Sequence, residues 1–287
     1  MADGIDTAEL RLLADTFRKT MASASGRVLD IALSELGWRE LLAELPGTAI
    51  PMVFRLLGET GAHAPLLNDV LLTTAGREPG GTVPLPYAGG SWVVWERTDA
   101  CGPGVTIDGE IPLRRLTAGR TEGAALTVDA AALAAGRRAV GWWLLGTGRA
   151  MLALARAHAV DRVQFGRPIA SFQAVRHKLA ETLVALDGAE AVLTAADEQA
   201  ADPGDGIGDV ELASLLAKAA AGQAALTAAR HCQQVLGGIG FTAEHTLHIH
   251  VKRALVLDGL LGSARELTRE AGRRLIAEGT APRLVEL

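Results

Sequence analysis

The sequence predicts a mainly α-helical protein in which two helical regions flank a reduced central β module. Apolar residues recur every three or four positions over most of residues 1–75 and 129–287, as is typical of amphipathic helices. Residues 76–128 are instead rich in Gly and Pro and contain short β-prone runs. The chain has 287 residues, 49% of them apolar, and can therefore bury a sizeable core. We expect an N-terminal helical domain over 1–75, a β module over 76–128 and a C-terminal helical bundle over 129–287.

Four apolar stretches predict the helices of the N-terminal domain. The first lies within residues 10–21 and the second within residues 32–42. The third begins at Pro51, which we expect in the first turn of its helix because proline lacks the N–H group that later turns need. Residues 66–72 predict one more short helix.

The β module and the bundle follow from a change in pattern. Strand-like runs separated by turn residues occupy residues 91–95, 104–107 and 124–128. After them, the Ala- and Leu-rich sequence predicts helices near residues 130–160, 171–200, 209–236, 245–260 and 263–278. Small residues permit close helix contacts, so we expect an antiparallel bundle.

Composition excludes several classes of function. The net charge is −5 with no basic excess, which argues against nucleic acid as a partner. Cys101 and Cys232 are far apart and form neither a disulfide framework nor a metal motif. The N-terminus shows no basic region followed by an apolar run, and no uninterrupted apolar stretch reaches about 18 residues. We therefore expect a soluble, cytoplasmic protein without membrane contact.

The segment of residues 161–173 combines groups that suit a nucleotide. A guanidinium such as that of Arg162 can hold a diphosphate with two parallel hydrogen bonds. Gln164 and Gln173 can both donate and accept, as a purine or ribose edge requires. Ser171 is placed to act as the N-cap of the next helix, which would leave amides free for an anion.

A second segment follows about sixty residues later, at Gln234, Gly237 and Gly238. Paired glycines at the end of a helix most often form its C-cap, but glycine also lets a ligand approach the backbone closely. The segment has no strand before it and no helix start after it, so it is not a Rossmann dinucleotide fingerprint.

Together the two segments read R-x-Q-F-G-x-P-I-x-x-F-Q and Q-V-x-G-G-x-G-F, and they resemble the C-terminal helical domain of acyl-CoA dehydrogenases over residues 130–278. The resemblance implies an FAD cofactor whose ADP part is held across a dimer interface. It assigns cofactor binding to Arg162, Gln164, Phe165, Gln173, Gln234, Gly237 and Gly238.

Departures from the family pattern affect the chemistry. Leu261 stands where the family usually carries its catalytic glutamate, and a leucine cannot remove a proton. Residues 136–138, where some members place the base instead, carry no carboxylate. The β module also lacks the segment that holds the flavin ring and the thioester. The pattern therefore suggests the short subunit of a heteromeric enzyme of the actinobacterial steroid type. A longer catalytic subunit would bind most of the acyl-CoA and share the FAD in an α2β2 heterotetramer.

Two other readings stay open. The chain could be a stand-alone, homo-oligomeric enzyme that uses Asp258, a weak candidate base, or another chemistry; it could also be a structural subunit without flavin. His245, His248 and His250 lack the spacing of a metal motif, so no metal site is predicted. Arg137 and Arg138 are expected on a solvated helix face.

Overall fold

The computed structural model describes residues 7–97, 111–116, 128–202 and 210–279. Helices dominate these ranges and the strands are few and short, so the prediction of a mainly α-helical protein is confirmed. The β-prone run at 104–107 and most of the run at 124–128 lie outside the described residues. The division into three domains stays a prediction.

Five helices form the N-terminal part of the structure: α1 Thr7–Ser23, α2 Gly26–Glu35, α3 Trp38–Glu44, α4 Pro46–Thr60 and α5 Leu66–Thr74. The prediction for Pro51 is wrong, because α4 begins at Pro46 and Pro51 lies inside the helix. The missing N–H of Pro51 would have bonded to the carbonyl of Gly47. Gly47 is exposed, so water can satisfy that carbonyl, and the helix continues.

A small antiparallel sheet links the two helical regions. Its strands are β1 Pro84–Tyr87, β2 Ser91–Trp95 and β3 Leu113–Arg115, in that spatial order. Leu85 pairs with Val93, and both are fully buried. An isolated bridge from Tyr87 to Leu260 attaches the edge of this sheet to the C-terminal helices.

The C-terminal bundle consists of α6 Ala130–Asp161, α7 Gln173–Ala201, α8 Val210–Leu236, α9 Leu247–Gly259 and α10 Ala264–Glu278. Helix α6 is its centre and packs against α4, α5, α7, α8 and α9. Helices α6 and α4 approach so closely that the backbone of each contacts the backbone of the other. A Cβ at Gly58 would lie 2.3 Å from the carbonyl oxygen of Trp143, and one at Gly146 would lie 2.1 Å from that of Arg55. Both positions therefore require glycine.

The apolar residues that recur every three or four positions along α7 are only partly buried. Leu186 and Ala189 are buried, and Val175 and Leu179 pack against the core. Leu183, which follows the same spacing, is 43% exposed. The outer face of α7 thus presents apolar side chains to solvent.

Among the described residues, one helical stretch, Val210–Phe241, is long and apolar enough to cross a membrane by length and composition alone. However, 72% of its most apolar window is buried inside the bundle. Its hydrophobicity is therefore explained by packing against other helices.

Buried arginines connect the helices by polar networks. Arg97 donates to Asp30 and Asp69, each at 2.5 Å, and so joins the sheet to α2 and α5. Arg138 donates to Asp197 at 2.8 Å and to Ser214 at 2.8 Å, which joins α6 to α7 and α8. The expectation of a solvated face for Arg137 and Arg138 is wrong, because their acidic and carbonyl partners lie on sequence-distant helices and allow them to be buried.

Candidate functional site

A tight hairpin carries the first predicted cofactor-binding segment. Its strands are β4 Val163–Gln164 and β5 Arg167–Pro168, which pair antiparallel. Phe165 (φ +54°) and Gly166 (φ +78°) form the two-residue loop, and two positive φ values are what a type I′ turn requires. For a phenylalanine this conformation is strained by roughly 1–3 kcal/mol, and such strain is concentrated at functional sites.

The ring of Phe165 projects into solvent. It is 91% exposed, and its neighbour is the ring of Phe172 in an edge-to-face contact with centroids 6.1 Å apart. The guanidinium of Arg167 lies over the Phe172 ring, 4.4 Å from its centre. The hairpin therefore presents a preformed aromatic and cationic surface that no other part of the described chain covers.

The polar side chains of this segment are equally free. Arg162 is the C-cap of α6. Its backbone N–H donates to the His158 carbonyl at 2.9 Å, and its own carbonyl accepts from the Ile169 N–H at 2.8 Å. The side chains of Arg162, Gln164 and Gln173 are exposed and make no hydrogen bond or ion pair within the described residues. All three are available to an external ligand.

The prediction of Ser171 as an N-cap is wrong. Its hydroxyl donates instead to the carbonyl of Pro168 at 2.8 Å and closes the 3₁₀ turn that follows the hairpin. The residue before α7 is Phe172, which gives no side-chain cap, but its carbonyl accepts from the Val175 N–H at 3.1 Å. The N–H groups of Gln173 and Ala174 make no hydrogen bond within the described residues, and anion binding at this helix end stays a prediction.

The second predicted segment ends α8. Gln234 is exposed and makes no side-chain hydrogen bond within the described ranges. Gly237 has φ +64°, which explains a glycine there as a helix C-cap. Gly238 has no positive φ, and a Cβ added to it would meet no atom within 4 Å. No described residue requires glycine at 238, and its role in letting a cofactor approach the backbone stays a prediction.

Both segments lie at the same end of the bundle. His158, one turn before Arg162, has its pKa lowered by burial and by the positive charges of His245 and Arg162. His245 follows the 3₁₀ turn Gly237–Phe241. The influence of His245 on His158 indicates that the segment after α8 lies on the same side of the bundle as the end of α6.

Leu261 lies in a closed interior. Its side chain is 1% exposed and packs against the α6 backbone, so that a Cβ at Gly136 would come within 2.9 Å of both Leu261 and Leu71. Its φ is +60°, and its N–H donates to Pro86 at 2.8 Å. The turn is thus held by sheet-like bonds and contains no carboxylate.

The end of strand β1 covers the turn from the other side. Tyr87 packs so closely on Gly259 that a Cβ there would lie 2.4 Å from the phenol ring. Ala88 N–H donates to Gly259 at 2.8 Å, and Gly89 N–H donates to Glu266 at 2.8 Å. The Gly89 bond, together with bonds from Ser263, lowers the pKa of Glu266. The sheet and the bundle are therefore locked together beside Leu261.

Asp258, the weak candidate base, already has structural partners. Its carboxylate accepts from Ala264 N–H at 3.0 Å and so caps α10. Its backbone carbonyl accepts from the buried Lys218 ammonium at 2.7 Å, and the same ammonium also bonds to Gly262. Burial lowers the pKa of Lys218 to about 7 against the opposing influence of Asp258. No sequence pattern indicates Lys218, because its partners are carbonyl groups about 40 positions away.

The histidines form no metal centre. No group of three or more potential metal-binding side chains occurs among the described residues. His248 contacts the carbonyl of His245 at 2.8 Å, which explains their spacing as a helix-start contact. Burial, followed by the charge of Arg253, lowers the pKa of His250 to about 4 and keeps it neutral at physiological pH.

Comparison with known proteins shows the family to which this chain belongs. Residues 123–278 match the family model for the C-terminal domain of acyl-CoA dehydrogenases. Acyl-CoA dehydrogenase FadE34 of Mycobacterium tuberculosis is 37% identical over 263 residues, which cover 86% of this chain and 35% of FadE34. The chain spans about a third of the length of the first curated relatives it matches.

Solved structures share the fold over almost the whole chain. The ChsE4-ChsE5 complex from Mycobacterium tuberculosis gives a TM-score of 0.65 at 20% identity, covering 97% of this chain and 100% of the other. A Tcur3481-Tcur3483 steroid ACAD variant gives a TM-score of 0.66 at 21% identity, covering 95% and 98%. These structural matches show the fold, and the family model covers more than half of the sequence. The chain belongs to the acyl-CoA dehydrogenase family.

Proposed function

We propose that this chain is the short subunit of a heteromeric, FAD-dependent acyl-CoA dehydrogenase. The complex would introduce an α,β double bond into a CoA thioester, with a steroid-derived acyl group as the favoured substrate class. A longer subunit would carry the catalytic carboxylate and bind most of the acyl-CoA, and the two kinds of subunit would form an α2β2 heterotetramer. This chain would supply the half of the FAD site that comes from the neighbouring subunit.

One observation carries the proposal: the residues predicted to bind the cofactor are exposed, whereas Leu261, at the position of the family's usual catalytic base, is buried. Arg162 and Gln164 make no side-chain hydrogen bond or ion pair within the described residues, and the exposed ring of Phe165 contacts the ring of Phe172. Leu261 is buried under the end of strand β1. A chain with this distribution can complete a site on another subunit but offers no proton acceptor at its own.

The exposed residues fit the ADP part of FAD, the cofactor that the family uses. Arg162 can hold the diphosphate with two charge-assisted hydrogen bonds. Gln164 and Gln234 can pair with ribose or adenine edges, and the exposed ring of Phe165 offers a stacking face. The backbone at Gly238 leaves room for close approach. Bound FAD supplies the hydride acceptor, and this chain's contribution is to bind and orient its ADP end.

Names of similar proteins support a partner. One similar structure is described as the ChsE4-ChsE5 complex and another as the Tcur3481-Tcur3483 steroid ACAD, each name joining two components. The first curated relatives are roughly three times longer than the stretch they share with this chain, so they carry segments that this chain does not match.

The direct test is to co-express the chain with a longer, glutamate-bearing acyl-CoA dehydrogenase subunit and to measure flavin per complex. We expect flavin and activity in the complex and neither in this chain alone. Arg162→Ala should weaken flavin binding about 10- to 100-fold, since charge-assisted hydrogen bonds contribute about 1.5–3 kcal/mol. Arg156→Ala is the matched control, because Arg156 is an exposed arginine of α6 that makes no hydrogen bond or ion pair within the described residues. Full flavin loading and activity of this chain alone would contradict the proposal.

The alternatives make different predictions. A stand-alone enzyme that uses Asp258 is favoured by one observation, the position of Asp258 in the lining of a cavity of about 660 Å³. That reading requires Asp258→Ala to abolish activity of the isolated chain. A structural subunit without flavin requires Arg162→Ala to change neither the flavin content nor the activity of the complex.

A further inference from the structure

An open groove of about 660 Å³ runs between helices α8, α9 and α10. The apolar part of its lining, called its floor below, consists of Leu226, Ala229, Val251, Leu255 and Ala264. Leu255 is 59% exposed, although the residues on either side of it in α9 are buried. An exposed leucine in the lining of an apolar groove indicates a site that another group covers.

Three arginines surround this floor: Arg230 on α8 and Arg265 and Arg269 on α10. Arg265 and Arg269 are exposed and make no ion pair within the described residues. Arg230 donates to Thr227 at 3.2 Å, a neutral partner one turn away on its own helix. Asp258 is the only acidic residue of the lining, and Ala264 already bonds to its carboxylate. The groove therefore has excess positive charge around an apolar centre.

The groove reaches the end of α8 that carries part of the predicted cofactor-binding set. Gln233 lines the groove, and the next residue, Gln234, belongs to the proposed FAD-binding set. Successive helix residues point about 100° apart, so these two side chains face different directions, but both lie in the last turn of α8. A partner that covers the end of α8 can therefore reach both surfaces.

We infer that this groove receives an acidic, apolar segment of the longer subunit, and this inference rests on the proposed function. Apolar side chains of that segment would cover Leu255, and its carboxylates would pair with Arg265 and Arg269. Complementary charge of this kind fixes the register of an interface and excludes wrong partners. A second copy of this chain suits the groove less well, because an isologous contact brings the same cationic surface to both sides.

The test uses the full chain, the longer glutamate-bearing subunit and a double charge reversal, Arg265→Glu with Arg269→Glu. We expect affinity between the subunits to fall by at least about thirtyfold, because like charges then face each other across the contact. Leu255→Asp should weaken association comparably, since it places a charge on the apolar floor. Arg273→Glu is the matched control: it is an exposed arginine on the same helix, outside the groove lining, and should leave affinity within twofold.

The outcomes separate this inference from the proposed function. Groove variants that associate like the wild-type chain overturn the inference, while loss of flavin in the Arg162→Ala complex still supports the proposed function. Failure of the wild-type chain to associate with the longer subunit overturns both. Self-association of the isolated chain that the double reversal abolishes in sedimentation velocity would assign the groove to a second copy. Binding of palmitoyl-CoA to the isolated chain that the double reversal removes would assign it to a small amphiphile. Either result overturns the inference.

The substitutions are chosen to leave the fold intact. Arg265, Arg269 and Leu255 are all exposed, so their replacement removes no core contact. A glutamate at 265 lies in the first turn of α10, where an acidic residue is favourable to the helix dipole. Unchanged thermal midpoints of the isolated variants would confirm that a loss of affinity arises at the surface.

Discussion

A glutamate introduced at Leu261 should destabilise the chain without creating an active site. The position is 1% exposed and packed against Gly136 and Leu71, so the new carboxyl group would lie among apolar atoms. Fully buried glutamates reach pKa values of about 8–9, against about 4.3 in an unfolded chain. At pH 7 the buried carboxylate must therefore bind a proton. Because pH 7 lies about 2.7 units above the unfolded pKa, this protonation costs about 3.7 kcal/mol.

The effect of Leu261→Glu must depend on pH with a definite sign. The folded pKa is raised, so the native state binds more protons than the unfolded state between pH 4.3 and 8. The free energy of unfolding therefore falls by about 1.4 kcal/mol for each pH unit above 4.3. Urea denaturation at pH 4.5, 6 and 7 measures this slope. Leu261→Gln, of similar shape and without charge, is the control and should show no additional slope.

A difference in unfolding free energy between the glutamate and glutamine variants that does not change with pH would refute this reasoning. It would mean that the carboxylate finds a cation, and Arg137 is the nearest candidate, since its Nε donates to the Leu261 carbonyl at 3.4 Å. Appearance of dehydrogenase activity in the isolated Leu261→Glu chain would be a second refutation. It would show that the site lacked only the base and that its interior can open to substrate.

Three further outcomes follow from individual contacts. Glu266→Gln should destabilise the chain by about 1 kcal/mol at pH 7 through loss of the charged α10 cap, and urea titrations should show the difference vanishing as pH falls through the lowered pKa of Glu266. Gly58→Ala should lower stability by about 3 kcal/mol or more, because its Cβ meets the α6 backbone, which cannot move aside; Gly188→Ala, with open space, is the control. Burial raises the pKa of the Cys232 thiol to about 12, so a Cys101→Ser chain should resist thiol reagents at pH 8 until it unfolds. Rapid labelling of that folded chain would show that Cys232 is accessible.

Periodicity predicted the fold well because the bundle helices are long and their buried faces are continuous. The predicted bounds of the five bundle helices lie within a few residues of the observed ones. Rules for helix starts and helix caps failed at two positions where another local contact satisfied the backbone. Pro51 was placed at a helix start, but hydration of the exposed Gly47 turn tolerates it inside α4. Ser171 was placed as a cap, but its hydroxyl closes the turn after the hairpin.

The candidate site likewise has features that the sequence predicts and features that it does not. Motif spacing identified the exposed set around Arg162 and Gln234, whose roles stay a prediction. Spacing could not reveal that Phe165 adopts a positive φ or that Lys218 joins two distant carbonyls, since both depend on three-dimensional contacts. One sequence motif was overlooked. Ser263 and Glu266 have the spacing of a capping box, and they form one in the structure.

The bridge between Tyr87 and Leu260 affects how the chain must fold. The two residues are separated by more than half of the chain, and their pairing is the only strand-like bridge outside the named strands in the described part of the chain. Contacts of such long range form late, because the intervening chain must first lose its freedom. The small sheet cannot reach its final position until α9 has emerged from the ribosome. Until then its edge is open to pairing with other chains, so synthesis alongside a partner would shorten the period in which this chain is prone to aggregate.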